Sequence, residues 1–309
     1  MSMPIRRSAG RRLKAGFDAL VGWFAVAILK CLRAVNRQRM ANMLGRMLRT
    51  IGPWLPEHRV GRANLAAAFP DKTPDEIEKI LRGVWDNLGR VAAEFAHIDR
   101  MTLPKLGELG GTFDVTYDQA ALDRFRAIRA SGKPALFFAA HLANWEIPAV
   151  GAAFYQIPTN VLYRRPNIAA IGDAVVDMRA GCMGTLVPVG IDAPVRLANA
   201  LLRGEHVGML VDQHYVKGVD VVFFGRWVKA NPLIAQLARH TGATVHGVRM
   251  VRLPDGNHFW GELTDAITLP RNADGEVDVP GTMQAITSMT EAWIREQPEQ
   301  WLWLHRRWR

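Results

Sequence analysis

The sequence predicts an α/β fold, a mainly parallel central sheet flanked by helices, preceded by an N-terminal helical extension that associates with a membrane. Three observations predict it. From about residue 113 onward, apolar runs of strand length alternate with helical periodicities. Residues 40–100 carry helical spacing throughout, with Trp85, Leu88, Ala92 and Phe95 recurring on one face. The first 40 residues join unopposed positive charge to a short apolar segment.

The extension comes first. Arg6, Arg7, Arg11, Arg12 and Lys14 lie in a stretch with no acid, and an apolar centre, Ala19 to Leu29, follows. At about eleven residues that centre falls short of the ~20 needed to span a bilayer. Basic residues flank it on both sides and no small-residue cleavage site follows, so a helix lying in the interface, or a short anchor whose flanking charges snorkel, is expected. Thr73-Pro74-Asp75-Glu76 is a helix start, with a capping threonine, proline in the first turn and an acid three residues on. Within the core, helices are expected over 118–130, 144–154, 171–181, 194–203 and 232–240. Strands are expected over 134–140, 160–163, 185–189, 206–211 and 244–251. The organisation is thus a membrane-associating segment, 1–40, and a domain, 41–309. The domain has a helical lead-in, 41–110, and an α/β core, 111–309.

Composition narrows the partners. The net charge of +10 favours anionic ones. No zinc-finger spacing, recognition-helix pattern or RNA-binding signature is present, so nucleic acid is set aside. Ten tryptophans suit a membrane–water interface as well as a core. The two cysteines, Cys31 and Cys182, form no CxxC pair, and His206, His240, His246 and His258 are not spaced as a ligand set. No metal and no bound cofactor is expected.

The sharpest chemical feature is His141-Leu142-Ala143-Asn144-Trp145-Glu146. The histidine ends an apolar strand, Asn144 is placed to cap the next helix, and Glu146 falls in that helix's first turn. A strand-end histidine followed by a turn lets the glutamate fold back to orient the imidazole and stabilise the imidazolium, the wiring of a general base acting on an alcohol. No GxSxG accompanies it, so direct attack by the acceptor's hydroxyl is expected rather than a covalent acyl-enzyme. Arg164 and Arg165 end the next strand, suiting a phosphate or oxyanion. Asp212-Gln213 end a later one, and Phe223-Phe224-Gly225-Arg226 read as a loop. Residues 301–309 interleave aromatics with positive charge, which suits either a headgroup surface or a core element with a solvated basic end.

These motifs resemble the lipid A biosynthesis acyltransferases, the late lauroyl and myristoyl transferases of Gram-negative envelopes, within the wider histidine–acid glycerolipid acyltransferases. The resemblance runs from Asn64-Leu65 and Phe69-Pro70 to the end of the chain. His141 and Glu146 match the family's H-x4-D/E. Tyr163, Arg164, Pro166 and Asn167 match its Tyr-Arg-x-Pro-Asn, and Asp212-Gln213 match its Asp-Gln block. Pro298-Glu299-Gln300 and Leu302 through Arg307 match its closing block. It implies an acyl carrier protein thioester as donor, a lipid A precursor as acceptor, and a place at the cytoplasmic face of the bacterial inner membrane. His141 would be the base, Glu146 its orienting acid, and Arg164, Asn167, Asp212, Gln213 and Asn144 the substrate-binding set. A lysophospholipid, an ornithine-type lipid or a glycolipid stays open as acceptor, and a non-enzymatic module for anionic membranes stays open as the rival class. Glu146 stands where many wider relatives have aspartate. The proline–glutamate–glycine block of glycerol-phosphate acyltransferases is missing between Gln213 and Gly225, which disfavours that acceptor.

Overall fold

The structure, a computed structural model, describes residues 21–24, 27, 31–106, 108, 111–165 and 169–308. Most of the basic N-terminal segment and Asn167 lie outside these residues. Residues 21–24 and 31–34 are helical, and no helix of the described residues is long and apolar enough to cross a membrane.

The lead-in is three helices: α1 (Arg37–Ile51), α2 (Pro56–Ala68) and α3 (Pro74–Phe95). Thr73 caps α3 as expected. Its hydroxyl accepts the Glu76 N–H, and Glu76 accepts the Thr73 N–H in return, satisfying two donors the helix itself cannot pair. α1 crosses α3 closely because Gly89 has no side chain; a Cβ there would lie 2.3 Å from the Leu44 carbonyl oxygen.

The core then alternates strand and helix: β1 (Val115–Tyr117), α4 (Gln119–Ser131), β2 (Ala135–Ala139), α5 (Ile147–Phe154), β3 (Thr159–Tyr163), α6 (Ala169–Ala180), β4 (Thr185–Pro188), α7 (Ala193–Leu202) and β5 (His206–Leu210). After these come β6 (Val219–Phe223), β7 (Arg226–Ala230), α8 (Leu233–Thr241), β8 (Thr244–Arg252), β9 (Phe259–Ala266) and α9 (Val279–Glu296). Seven strands form one sheet in the order β1-β9-β8-β2-β5-β3-β4, parallel throughout except for the β8–β9 pair.

All five expected strands are present. The expectation missed β1 at the sheet edge, β9, which gives the parallel sheet its antiparallel pair, the β6–β7 hairpin and α9. The expected loop at Phe223–Arg226 is that hairpin's two-residue turn. Phe224 (φ 50) and Gly225 (φ 70) both adopt left-handed backbone, which matches the twist of the flanking strands.

Alternate residues of β2 divide the core. Leu136 and Phe138 face α2, α3, α8, α9 and the C-terminal segment, while Ala135, Phe137 and Ala139 face α4 and α5. Trp301 and Trp303 are fully buried, and Arg307 is buried over the Phe223 ring with its Nη1 donating to the Lys229 carbonyl. The closing aromatic–basic block is therefore core, and the headgroup reading of it fails.

Candidate active site

Sheet register places the first pair of residues. In β2 and β5, Ala139 stands opposite Leu210, and the Val211 N–H donates to the Ala139 carbonyl at 3.0 Å. Two residues past each strand end are His141 and Asp212, which therefore meet. The Asp212 carboxylate accepts the His141 backbone N–H at 2.9 Å, its Nδ1–H at 2.8 Å and the Trp301 indole N–H at 2.7 Å. An ionised carboxylate only accepts, so the shared proton sits on Nδ1 and the Nε2 lone pair points outward. There the Gln213 amide nitrogen lies 3.2 Å away and donates to it.

The electrostatics match this geometry. Burial is the largest single influence on the imidazole and opposes its protonation. The Asp212 charge, the hydrogen bond to it and the Glu146 charge together outweigh burial and raise the His141 pKa above the ordinary histidine value. Burial also opposes ionisation of Asp212. The His141 charge, ring and backbone N–H groups, with the charge of His305 behind them, nevertheless hold the carboxyl well below the usual range.

Glu146 does not take the expected place. Its carboxylate forms a two-pronged pair with Arg179 of α6, Nε to Oε2 at 2.9 Å and Nη2 to Oε1 at 2.5 Å, and makes no hydrogen bond to the imidazole. The helix begins at Ile147, later than expected, so Glu146 sits at its N-cap with the side chain directed across to α6. Arg179 also lies over the rings of Phe95 and Tyr163. Glu146 thus reaches His141 through space, as a nearby charge, while Asp212 holds the ring.

Two members of the expected substrate-binding set fall behind the histidine. Asn144 is completely buried; its amide donates to Glu94 at 3.0 Å, and its oxygen accepts the Glu146 N–H at 3.1 Å. Its capping tendency shapes the turn before the helix and leaves no atom for a ligand. The Asp212 side chain is likewise fully enclosed. Arg164 and Gln213 do reach the site, and both line its cavity.

The turn carrying His141 is built like a keystone. Ala143 holds a left-handed backbone (φ 46), a strained conformation for a residue with a Cβ. Its N–H donates to the Gln300 carbonyl at 2.9 Å and its carbonyl accepts from Asn87 at 3.1 Å. Asn87 also accepts from Arg252 at 2.9 Å, Arg252 forks onto Glu94, and Gln300 exchanges two hydrogen bonds with the Arg252 backbone. The Leu302 N–H closes onto the His141 carbonyl at 3.1 Å. This buried network from the lead-in helix and the C-terminal segment over-determines the turn.

In front of the histidine lies a cavity of about 720 Å³ between the sheet and α4–α6. One end is polar, with His141, Glu146, Arg164, Arg179 and Gln213. The other is apolar, with Phe125, Phe137, Ala152, Met183, Val248 and Leu263. Its size suits a ligand with a long apolar part and one reacting polar end. Among the described residues, no group of three or more His, Cys, Asp and Glu side chains is arranged to hold a metal ion.

An imidazole whose lone pair faces the polar end of a cavity with an apolar interior suits acyl transfer to an alcohol, and comparison with known proteins bears on that. The model of the family described as bacterial lipid A biosynthesis acyltransferase matches residues 11–309. The chain belongs to this family. It is therefore an acyltransferase of lipid A biosynthesis by family, and the match takes in the histidine turn, the cavity and the closing segment alike. A comparison with curated proteins finds no match to the chain.

Sequence reasoning missed Arg179 and Trp301 as members of the site. Arg179 gives no local signal, being one cation on a helix. Trp301 stands within the closing block, but its partner becomes visible only once β2 and β5 are paired.

Proposed function

We propose that this acyltransferase moves a fatty acyl chain from an acyl carrier protein thioester to the 3-hydroxyl of an acyl chain already on a lipid A precursor, with His141 as general base. The acceptor hydroxyl replaces the Gln213 amide at Nε2 and gives up its proton there as its oxygen attacks the thioester carbonyl carbon. Asp212 keeps the proton on Nδ1 and stabilises the imidazolium. The tetrahedral oxyanion faces Arg164. Collapse breaks the C–S bond, and the departing thiolate takes the proton back from Nε2, leaving an ester, a free thiol and a neutral histidine. The apolar end of the cavity holds hydrocarbon. Glu146 neutralises Arg179, so that this half-buried cation does not depress the basicity of His141.

The observation that carries the reading is the Nε2 lone pair facing the cavity while Nδ1 is fixed by a buried carboxylate. The test is purified protein assayed with acyl carrier protein thioester and a lipid A precursor, read by mass spectrometry. The acyl group should appear as an ester on the acceptor, and His141→Ala should abolish it. Transfer at near-normal rate by that variant, in a protein that still folds, ends the assignment. Transfer only to a lysophospholipid, ornithine-type lipid or glycolipid would replace the acceptor.

A further inference from the structure

The cavity needs a lipid delivered to its mouth, yet no described helix spans a bilayer. Three neighbouring parallel strands, β5, β3 and β4, end at the same edge of the sheet, beside the cavity. The loops after β4 and β5 carry exposed apolar tips. Val189 and Tyr215 line the mouth and are themselves exposed; beyond them Ile191 is fully exposed and Val216 three-quarters exposed. The Val189 N–H donates to the Tyr163 carbonyl at 2.9 Å, which seats the β4 loop directly beside Arg164.

The local charge is positive but thin. Arg165 pairs with Asp173 and Arg196 with Asp192, while Arg164 and Lys217 have no carboxylate partner among the described residues. Bare aliphatic tips flanked by a few free cations match an anionic bilayer surface better than an acidic protein. Such a protein would call for dense unpaired cations.

We infer that this rim is a membrane-docking surface, in which the Val189–Ile191 and Tyr215–Val216 loops enter an anionic bilayer and the cavity mouth opens into it. Lys217 lies at headgroup level, with Arg164 just inside the mouth. The inference rests on the acyltransferase reading only for its purpose; docking itself is tested without turnover. In full-length protein with Cys31 and Cys182 changed to serine, an environment-sensitive fluorophore is attached at Ile191→Cys, at Val216→Cys or at Lys133→Cys. The last of these precedes β2, at the opposite sheet edge. Adding phosphatidylglycerol-containing vesicles should blue-shift and brighten the fluorophore at 191 and 216 and leave it unchanged at 133. Lys217→Glu should weaken that response about tenfold.

No shift at 191 and 216, or an equal shift at 133, overturns the inference. A shift produced by acyl carrier protein but not by vesicles assigns the rim to a protein and overturns it as well. The double variant Ile191→Asp/Val216→Asp should lose turnover on acceptor embedded in vesicles and keep it on acceptor dispersed in detergent. Wild-type protein that docks through the rim yet transfers no acyl group would sink the acyltransferase reading while leaving the rim intact.

Discussion

Two carboxylates act on one imidazole from opposite directions, and they are not equivalent. Asp212 stands behind the ring, fully enclosed, its oxygens taken by three N–H groups. Glu146 stands at the cavity wall and spends both oxygens on Arg179. The first sets the tautomer and direction of the ring through hydrogen bonds. The second contributes charge and a neutralised arginine. A carboxylate's distance along the chain from its histidine says little about which of these roles it takes. The partner five residues away is electrostatic, and the one 71 residues away is bonded.

Removing the ring on which both carboxylates act has the largest effect. His141→Ala should lower kcat/KM by at least ~10³-fold, in line with the loss of a positioned general base, with the circular dichroism spectrum kept. Asp212→Asn comes next. An amide can donate to Nδ1 and stabilise the wrong tautomer, so a loss of about 10²–10³-fold in kcat is expected. Glu146→Gln should cost about tenfold, because the bonded partner is still in place. Equal losses in the two carboxylate variants would break the distinction, and the reverse order would hand the orienting role back to Glu146.

The pH–rate profile sharpens the same contrast. On the proposed mechanism the base works unprotonated, so activity should fall as pH drops through the His141 pKa, which lies above the ordinary value of about 6.5. Taking away a negative neighbour destabilises the imidazolium. The acidic limb of kcat/KM should therefore move to lower pH in both variants, further in Asp212→Asn than in Glu146→Gln. The smallest effect concerns stability rather than chemistry. Asn144→Ala leaves Glu94 and the Glu146 N–H each one partner short, and urea unfolding should show a loss of about 1–3 kcal/mol.

Why the histidine was legible in the sequence and both of its carboxylates were misread follows from where the information lies. The run from Pro134 to Ala140 is apolar on both faces, as a central strand must be, so His141 at its end could be read directly. The helix following it was equally plain, though its first turn starts two residues later than the capping pattern suggests. Spacing along one segment could not show that β5 lies beside β2. Without that adjacency Asp212 is simply a polar residue after another strand, and it was assigned to substrate. The closing block was legible as a match to relatives, but its aromatics and arginines fit a membrane surface and a core equally well. Burial of Trp301 and Arg307 decides between them.

The segment from Gln300 to Leu302 is the far side of the keystone, and this has a consequence for how the enzyme matures. The histidine turn cannot hold its strained shape until a stretch near the other end of the chain settles against it. Loop closure over so long a contour is slow and entropically costly. On the proposed mechanism, a chain truncated before Gln300 would keep the residues of its sheet yet lose the contacts that hold the histidine turn, and with them acyl transfer.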